Sequence, residues 1–526
     1  MRVWKRAAAL LLSVLLVAGL TAGCGQQEEM TFSAALVGVP ASFDPALAVN
    51  ESEQIAAVHL YENLMRLQIG ENGTEVVPAV ARSYECNSHQ DGTETYTFLL
   101  RPDAKWSDGR EVEAGDFVYA WQHLVDPATE SPNAALLNMV AGYDKACKGD
   151  LDALQVRAVN ATTLEVDLSC HCPYFVRSIC SIGATMPRRA DLAGSKDVVG
   201  NGPYCWEDYT DGVLTMTTSE HYYDTRRLGP DILALHFCDT AADAAALLND
   251  GTVDFAGNVD DEQVMKGDGW TMEPYPRTTM LVVNQMAQQL KDKSLRQAMS
   301  LTIDRVALTE LTGTGLHTPA EGLVPYGILA SDGQNFRELE GARIDNTDYA
   351  RSCAAARELL QGMPLNGVTD VTILYETVGL NAQIAGQIQA AWQEQLGLSA
   401  QLQGLPPEEM AVKLKQGEFS VALVSHTADR NDASSFLNMW QSRSADNVAL
   451  YYSSAYDMLM RVANTSSSAE ARDAYLADAE RLLLEQGNAM PLYSTGTGYK
   501  LRTGLTGLLS DGFGVFRFGG IRQAAN

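Results

Sequence analysis

The segment from Val371 to Asp429 constrains the fold more than any other. Val371 to Tyr375 is an apolar run that predicts a strand. Across the predicted helix Ala382 to Leu396, the residues Ile384, Ile388, Trp392 and Leu396 recur at four-residue spacing, which places them on one helix face, and Gly397 supplies the stop. Leu398, Ala400 and Leu402 alternate as a second strand. Pro406-Pro407-Glu408-Glu409 opens another helix with Met410 and Leu414 on one side, and Phe419 to Val424 returns as a third strand. Helical crossovers between successive strands make a parallel sheet with helices on its faces, and ligands of such open sheets sit beyond the carboxyl ends of the strands. The loop after Val424 is therefore the first candidate site. It begins at Ser425 and contains His426, Asp429, Arg430 and Asp432.

Elsewhere the reading is coarser. Thr31 to Val39, Tyr96 to Leu100 and Leu164 to Leu168 read as strands, and Asn50 to Leu64 as a helix. Asp91-Gly92 and Asp108-Gly109 read as turns, as do Gly313-Thr314-Gly315 and Gly496-Thr497-Gly498. There is no internal repeat. At roughly 100 to 200 residues per domain, a chain of 526 residues holds two to four domains. The formal charge of -28, with no block of Lys or Arg, argues against a nucleic-acid partner. No H-E-x-x-H, G-x-S-x-G or G-x-x-x-x-G-K-[ST] occurs, so a secreted hydrolase or a phosphate-cradling enzyme lacks its nucleophile, metal or loop signature. Asp260-Asp261-Glu262 reads as a solvated helix start.

The amino terminus is an export signal: Arg2, Lys5 and Arg6 precede an apolar run from Ala7 to Leu20 that is too short to span a bilayer. Ala22-Gly23-Cys24 and the polar stretch that follows resemble the lipobox and tether of bacterial lipoproteins, which makes 1–23 a signal peptide and Cys24 the lipidation site. Thr21 departs from that pattern, where an aliphatic residue is usual. Eight further cysteines allow disulfides, free thiols or a metal site. Cys170-His171-Cys172 with Cys180 lacks the spacing of zinc fingers, and no metal or other cofactor is expected.

Several stretches, in order, resemble the peptide- and nickel-binding family of extracellular solute-binding proteins that serve ABC importers. The most extended runs from Phe98 to Pro127, FLLRPDAKWSDGREVEAGDFVYAWQHLVDP. In it Trp106 offers an apolar body, Asp108-Gly109 a turn, and Phe117, Tyr119-Ala120-Trp121 and Leu124 the buried face of a helix. SFDPA at Ser42, YENLM at Tyr61, NGPY at Asn201, LRQAMSLTIDR at Leu295 and SSFLNMW at Ser434 are the other matches. The resemblance implies an α/β, two-lobed periplasmic-binding-protein-like fold with a hinge and an additional domain on the first lobe. The first lobe would comprise 25–60, 188–276 and 496–526, the additional domain 61–187 and the second lobe 277–495.

Asp429 matches the Asp with which oligopeptide-binding members hold a peptide's α-amino group; its bland reading is a cap ahead of a helix beginning near Ser434. Asn258 is similar to a polar contact of the family. His426-Thr427 stands where a Trp-Cys pair is common, and Arg277 where the partner of that Cys would be, so that disulfide is absent. Asn133 and Asn381 occupy positions where some peptide binders carry Tyr and His. The function implied is a monomeric, lipid-anchored receptor on the outer face of a bacterial cell membrane, which binds peptides and delivers them to an ABC permease and its ATPase. A nickel chelate, an oligosaccharide or an opine is the alternative cargo, and a sensory lipoprotein without import the alternative role.

Overall fold

The computed structural model describes residues 29–524 except 71–72, 182, 196, 226–227, 262, 268, 312–314, 364–367, 369 and 467. The export signal, Cys24 and Gly313-Thr314 therefore lie outside the described residues.

One sheet of eleven strands runs through the molecule: β1 (Thr31–Val37), β2 (Tyr204–Thr210), β3 (Val213–Thr218), β4 (Ile232–Cys238), β5 (Phe255–Val259), β6 (Thr271–Val283), β7 (His317–Pro319), β8 (Val371–Glu376), β9 (Ala400–Leu405), β10 (Val421–Thr427) and β11 (Ala489–Leu501). Their spatial order is β9-β8-β10-β6-β11-β5-β1-β4-β3-β2, with β7 beside β11. At one end β8 pairs in parallel with β9 and β10, as the periodicity around Trp392 and Met410 predicts. At the other end β1 pairs in parallel with β4 and β5. The two parallel blocks are the sheets of two lobes, and the long antiparallel strands β6 and β11 join them. The β6–β11 ladder shifts register between Pro274 and Arg277 and again between Thr279 and Met280. Such bulges bend and twist a strand locally, which suits a ribbon that must flex between two bodies.

Local chemistry sets several boundaries. Helix α1 (Glu51–Leu60) starts at Asn50, whose side chain and that of Glu53 form a reciprocal capping box. It stops four residues short of the expected Leu64 because Glu62 and Asn63 are drawn into long-range bonds. The Glu62 N–H donates to Asn201 Oδ1 at 2.9 Å, and Asn63 Nδ2 to Thr185 Oγ1 at 2.8 Å. The YENLM and NGPY motifs thus fasten the junction between the first lobe and the insertion that follows it. Asp44 of SFDPA does the same, accepting from His123 Nε2 at 3.2 Å and pairing with Arg188. The first strand ends at Val37 rather than Val39, since Gly38 turns the chain at φ 113°.

The insertion carries a four-stranded antiparallel sheet, formed by Ala81–Ser88, Glu94–Leu100, Val156–Asn160 and Thr163–Leu168, with α2 (Ala114–Val125) packed on it. Phe117, Ala120, Trp121 and Leu124 of α2 are buried, while Tyr119 is only partly covered and stacks on His123, so it belongs to the helix flank and not to its core face. Trp106 is buried and its Nε1–H donates to Asp116 at 3.1 Å.

Two expectations are corrected. Gly496-Thr497-Gly498 lies inside β11 and not in a turn. Close backbone approach, not reversal, requires the first glycine: a Cβ on Gly496 would stand 2.9 Å from the carbonyl oxygens of Glu273 and Leu316. Of Asp260-Asp261-Glu262, Glu262 lies outside the described residues, and the two aspartates lead into a turn at 263–265, with Asp261 Oδ1 accepting the Gln263 N–H at 2.8 Å.

Candidate functional site

The carboxyl ends of β8, β9 and β10 lie at one edge of the second lobe, and the chain leaves β10 through the loop Ala428–Ala433. Position 429 follows a strand pinned on both sides: the Ala428 N–H donates to the Pro276 carbonyl at 2.8 Å, and Asp429's own N–H donates to Ser435 Oγ at 3.0 Å. The Asp429 carboxylate accepts from Ser435 Oγ at 2.5 Å and from Arg430 Nη1 at 2.7 Å. Even so, its side chain is 50% exposed, whereas that of Arg430 is 4% exposed.

Asp429 caps no helix: the short helix Ser434–Leu437 has Ala433 at its N-cap, without a side-chain cap bond, and the carboxylate nearest its start is that of Asp432. Asp432 Oδ1 accepts the Ser434 N–H at 2.9 Å, at the start of the short helix Ser434–Leu437. Asp432 also forms a two-pronged pair with Arg472 of α5 (Ala469–Gln486), at 2.7 and 3.0 Å, with both side chains fully buried. Burial works against the Asp432 anion, yet the Arg472 charge and hydrogen bonds hold its carboxyl below the usual range. Arg472 in turn lies over the ring of Tyr174 at 4.7 Å, and Arg430 over the same ring at 5.4 Å. Tyr174 precedes α3 (Phe175–Ser181), whose Arg177 donates to the Ala330 carbonyl at 2.8 Å. The floor beneath the Asp429 loop is thus built from residues about 40 and 250 positions away.

The remaining candidates are arranged as follows. Ser425 Oγ shares a hydrogen bond with Thr279 Oγ1 at 2.8 Å. His426, one residue on and so on the other face of the strand, donates through Nε2 to the Ser435 carbonyl at 3.0 Å and packs edge-on against Phe436. Burial lowers its pKa, which keeps the ring neutral. Asn381 is the first residue of α4 (Asn381–Leu396), at the same sheet edge, with its amide donating to the Glu376 carbonyl at 3.2 Å. Asn133 lies in the insertion, and its amide donates to the Ala48 carbonyl at 2.6 Å, tying the insertion to the first lobe.

Asn258 differs from all of these. It sits at the carboxyl end of β5, in the bulge facing β11, at φ 59°. Both ends of its amide are buried without a hydrogen-bond partner among the described residues. A left-handed non-glycine residue and an orphaned amide each cost of order 1–3 kcal/mol, and such costs cluster where a ligand repays them. Next to it, Tyr275 Oη bonds to Glu51, and a Cβ on Gly514 would lie 3.1 Å from Glu51 and 3.4 Å from Asn258 Oδ1. Arg277 lies over the Tyr275 ring at 5.0 Å and donates through Nε to Thr427 Oγ1 at 3.0 Å. Glu51 and Tyr275 carried no signal of site membership in the sequence, because only the placement of α1 beside β6 brings them together, whereas Arg277 was marked by the resemblance as the position opposite Thr427.

The cysteine motif serves another purpose. Buried Glu94 accepts from His171 Nδ1 at 2.6 Å and from the Cys172 N–H at 3.0 Å. The eight described cysteines are all unbonded, and burial pushes the thiols of Cys170, Cys172 and Cys180 up.

Residues 75–447 match the family model for "Bacterial extracellular solute-binding proteins, family 5 Middle". The chain belongs to this family. It is 29% identical over 489 residues to the periplasmic murein peptide-binding protein MppA of Escherichia coli strain K12, covering 89% of this chain and 88% of that one. To the periplasmic oligopeptide-binding protein OppA of the same organism it is 27% identical over 503 residues, covering 91% and 90%. Among solved structures, the unliganded open form of MppA superposes with a TM-score of 0.81 at 27% identity, covering 94% of this chain and 98% of that one. A second structure of the Escherichia coli protein, at the same identity, gives 0.73 over 95% and 99%. Among the described residues no helix is long and apolar enough to cross a membrane.

Proposed function

We propose that this solute-binding protein is the peptide-capturing receptor of an ABC importer, acting as a monomer without chemistry of its own. The observation that carries the reading is the Asp429 carboxylate, half-exposed just past the end of a parallel strand, while Asp432 takes the N–H at the start of the following helix. A peptide's ammonium group would complete its coordination, and the orphaned Asn258 amide across the cleft would take a backbone group of the same peptide. An extended peptide presents both partners, with apolar side chains left for pockets. The peptide specificities of MppA and OppA support the reading. In this account 277–495 closes onto 25–60, 188–276 and 496–526 by bending at β6 and β11, with 61–187 riding on the first lobe. Denaturing the protein purified from its own cells should release short peptides detectable by mass spectrometry. Recovery of a sugar, an opine or a nickel chelate at one per chain contradicts the peptide reading.

A lipid on Cys24 would hold the receptor at the outer face of the cell membrane, beside the permease and ATPase that take its cargo. Cys24→Ser should then release the protein from the membrane fraction, and a mature wild-type amino terminus without diacylglycerol on Cys24 rules the anchor out.

A further inference from the structure

Arg277 is an incompletely matched cation in the cleft. Its strand β6 pairs with the carboxyl end of β10 in the second lobe on one side and with β11 on the other, and β11 in turn pairs with β5 of the first lobe. The side chain is 33% exposed, and its acidic contact among the described residues is Asp260, 4.0 Å away and itself 62% exposed. A contact that long to a solvated carboxylate is weak. The contrast with Arg472 is sharp, since that guanidinium has both prongs on Asp432 at 2.7 and 3.0 Å. Thr427 and the Tyr275 ring hold the Arg277 guanidinium in place, one on each side.

Position matters as much as charge. Thr427 is the direct cross-strand partner of Arg277, and Asp429 follows two residues later, just past the end of the strand and so at most about 7 Å along the chain. A carboxylate-seeking cation thus stands within about two residues' length of the carboxylate assigned to the cargo's amino group. A chain of formal charge -28 repels anionic cargo at long range, so uptake of an acidic peptide needs a cation fixed at the point of contact. A planar guanidinium meets a carboxylate with two parallel hydrogen bonds, and lobe closure would remove the competing water.

We propose that Arg277 makes this receptor select cargo with a carboxylate close to its amino terminus, supplied by an acidic side chain at the second residue or by the carboxyl end of a dipeptide. The proposal rests on the peptide-receptor reading. Calorimetric titration of the wild type, Arg277→Met and Arg277→Lys tests it with two ligand pairs: Ala-Glu-Ala amide against Ala-Gln-Ala amide, and Ala-Ala against Ala-Ala amide. The wild type should prefer the acidic member of at least one pair by more than about tenfold, and that pair identifies the source of the carboxylate. Arg277→Met should bind the neutral members as the wild type does, which shows that it is folded, and lose the preference; Arg277→Lys should keep part of it. Equal preference in wild type and Arg277→Met, or neutral peptides that bind the wild type as well as acidic ones, overturns the proposal and leaves the peptide reading standing. No binding of any of the four overturns both.

Discussion

Asp429→Ala should weaken the binding of tri-alanine by more than tenfold while leaving the protein folded. The loss follows from removing one partner of a charge pair in a closed cleft, which costs roughly 2–5 kcal/mol, against about 1.4 kcal/mol for each factor of ten in affinity. Asp429→Asn should also weaken binding, because the amide still accepts from Ser435 but cannot balance an ammonium ion. The half-exposed side chain contributes little to stability, so both variants should melt within a few degrees of the wild type. Calorimetry decides the matter, and unchanged affinity in Asp429→Ala reduces the residue to a partner of Arg430 and Ser435.

Asp432→Ala should have the opposite signature: a large loss of stability. The substitution removes the acceptor of the Ser434 N–H and the two-pronged partner of Arg472, 1% exposed, leaving that charge the longer contact to Asp473 at 3.7 Å. Breaking a buried pair in this way costs roughly 3–5 kcal/mol. At about 2–4 °C per kcal/mol for a unit of this size, the melting temperature should fall by at least about 6 °C. Asp432→Asn keeps an acceptor for the Ser434 N–H and should lose less. A fall of under about 2 °C in Asp432→Ala means that Arg472 finds other partners, Ser331 being the nearest at 2.9 Å.

These two residues show what the sequence could and could not reveal. The parallel run from Val371 to Val424 was legible because its signals are local: four-residue spacing through Ile384 and Trp392, alternation through Ala400, and stops at Gly397. The strand-end position of Asp429 followed from that run and topology alone. Which of two aspartates takes the N–H at the start of the short helix and which faces the cleft did not follow, since Arg472 lies 40 residues away and Tyr174 comes from the insertion. The facing of Arg277 and Thr427, 150 residues apart, came only through the resemblance, which sets them where a disulfide pair would stand, and that the buried Asn258 amide lacks a partner among the described residues had no local signal. Gly496 was misread as a turn because glycine signals both reversal and close approach, and only the carbonyls of Glu273 and Leu316 distinguish the two.

The central claim is that a peptide's amino end rests on Asp429, and acetylating that end tests it most directly. Tri-alanine and N-acetyl-tri-alanine should be titrated against the wild type and Asp429→Ala. If the ammonium group meets this carboxylate, acetylation costs the wild type more than about tenfold and the variant little, because the variant has already lost the interaction. If acetylation weakens both proteins equally, the amino end is held elsewhere and the account of the cleft is wrong.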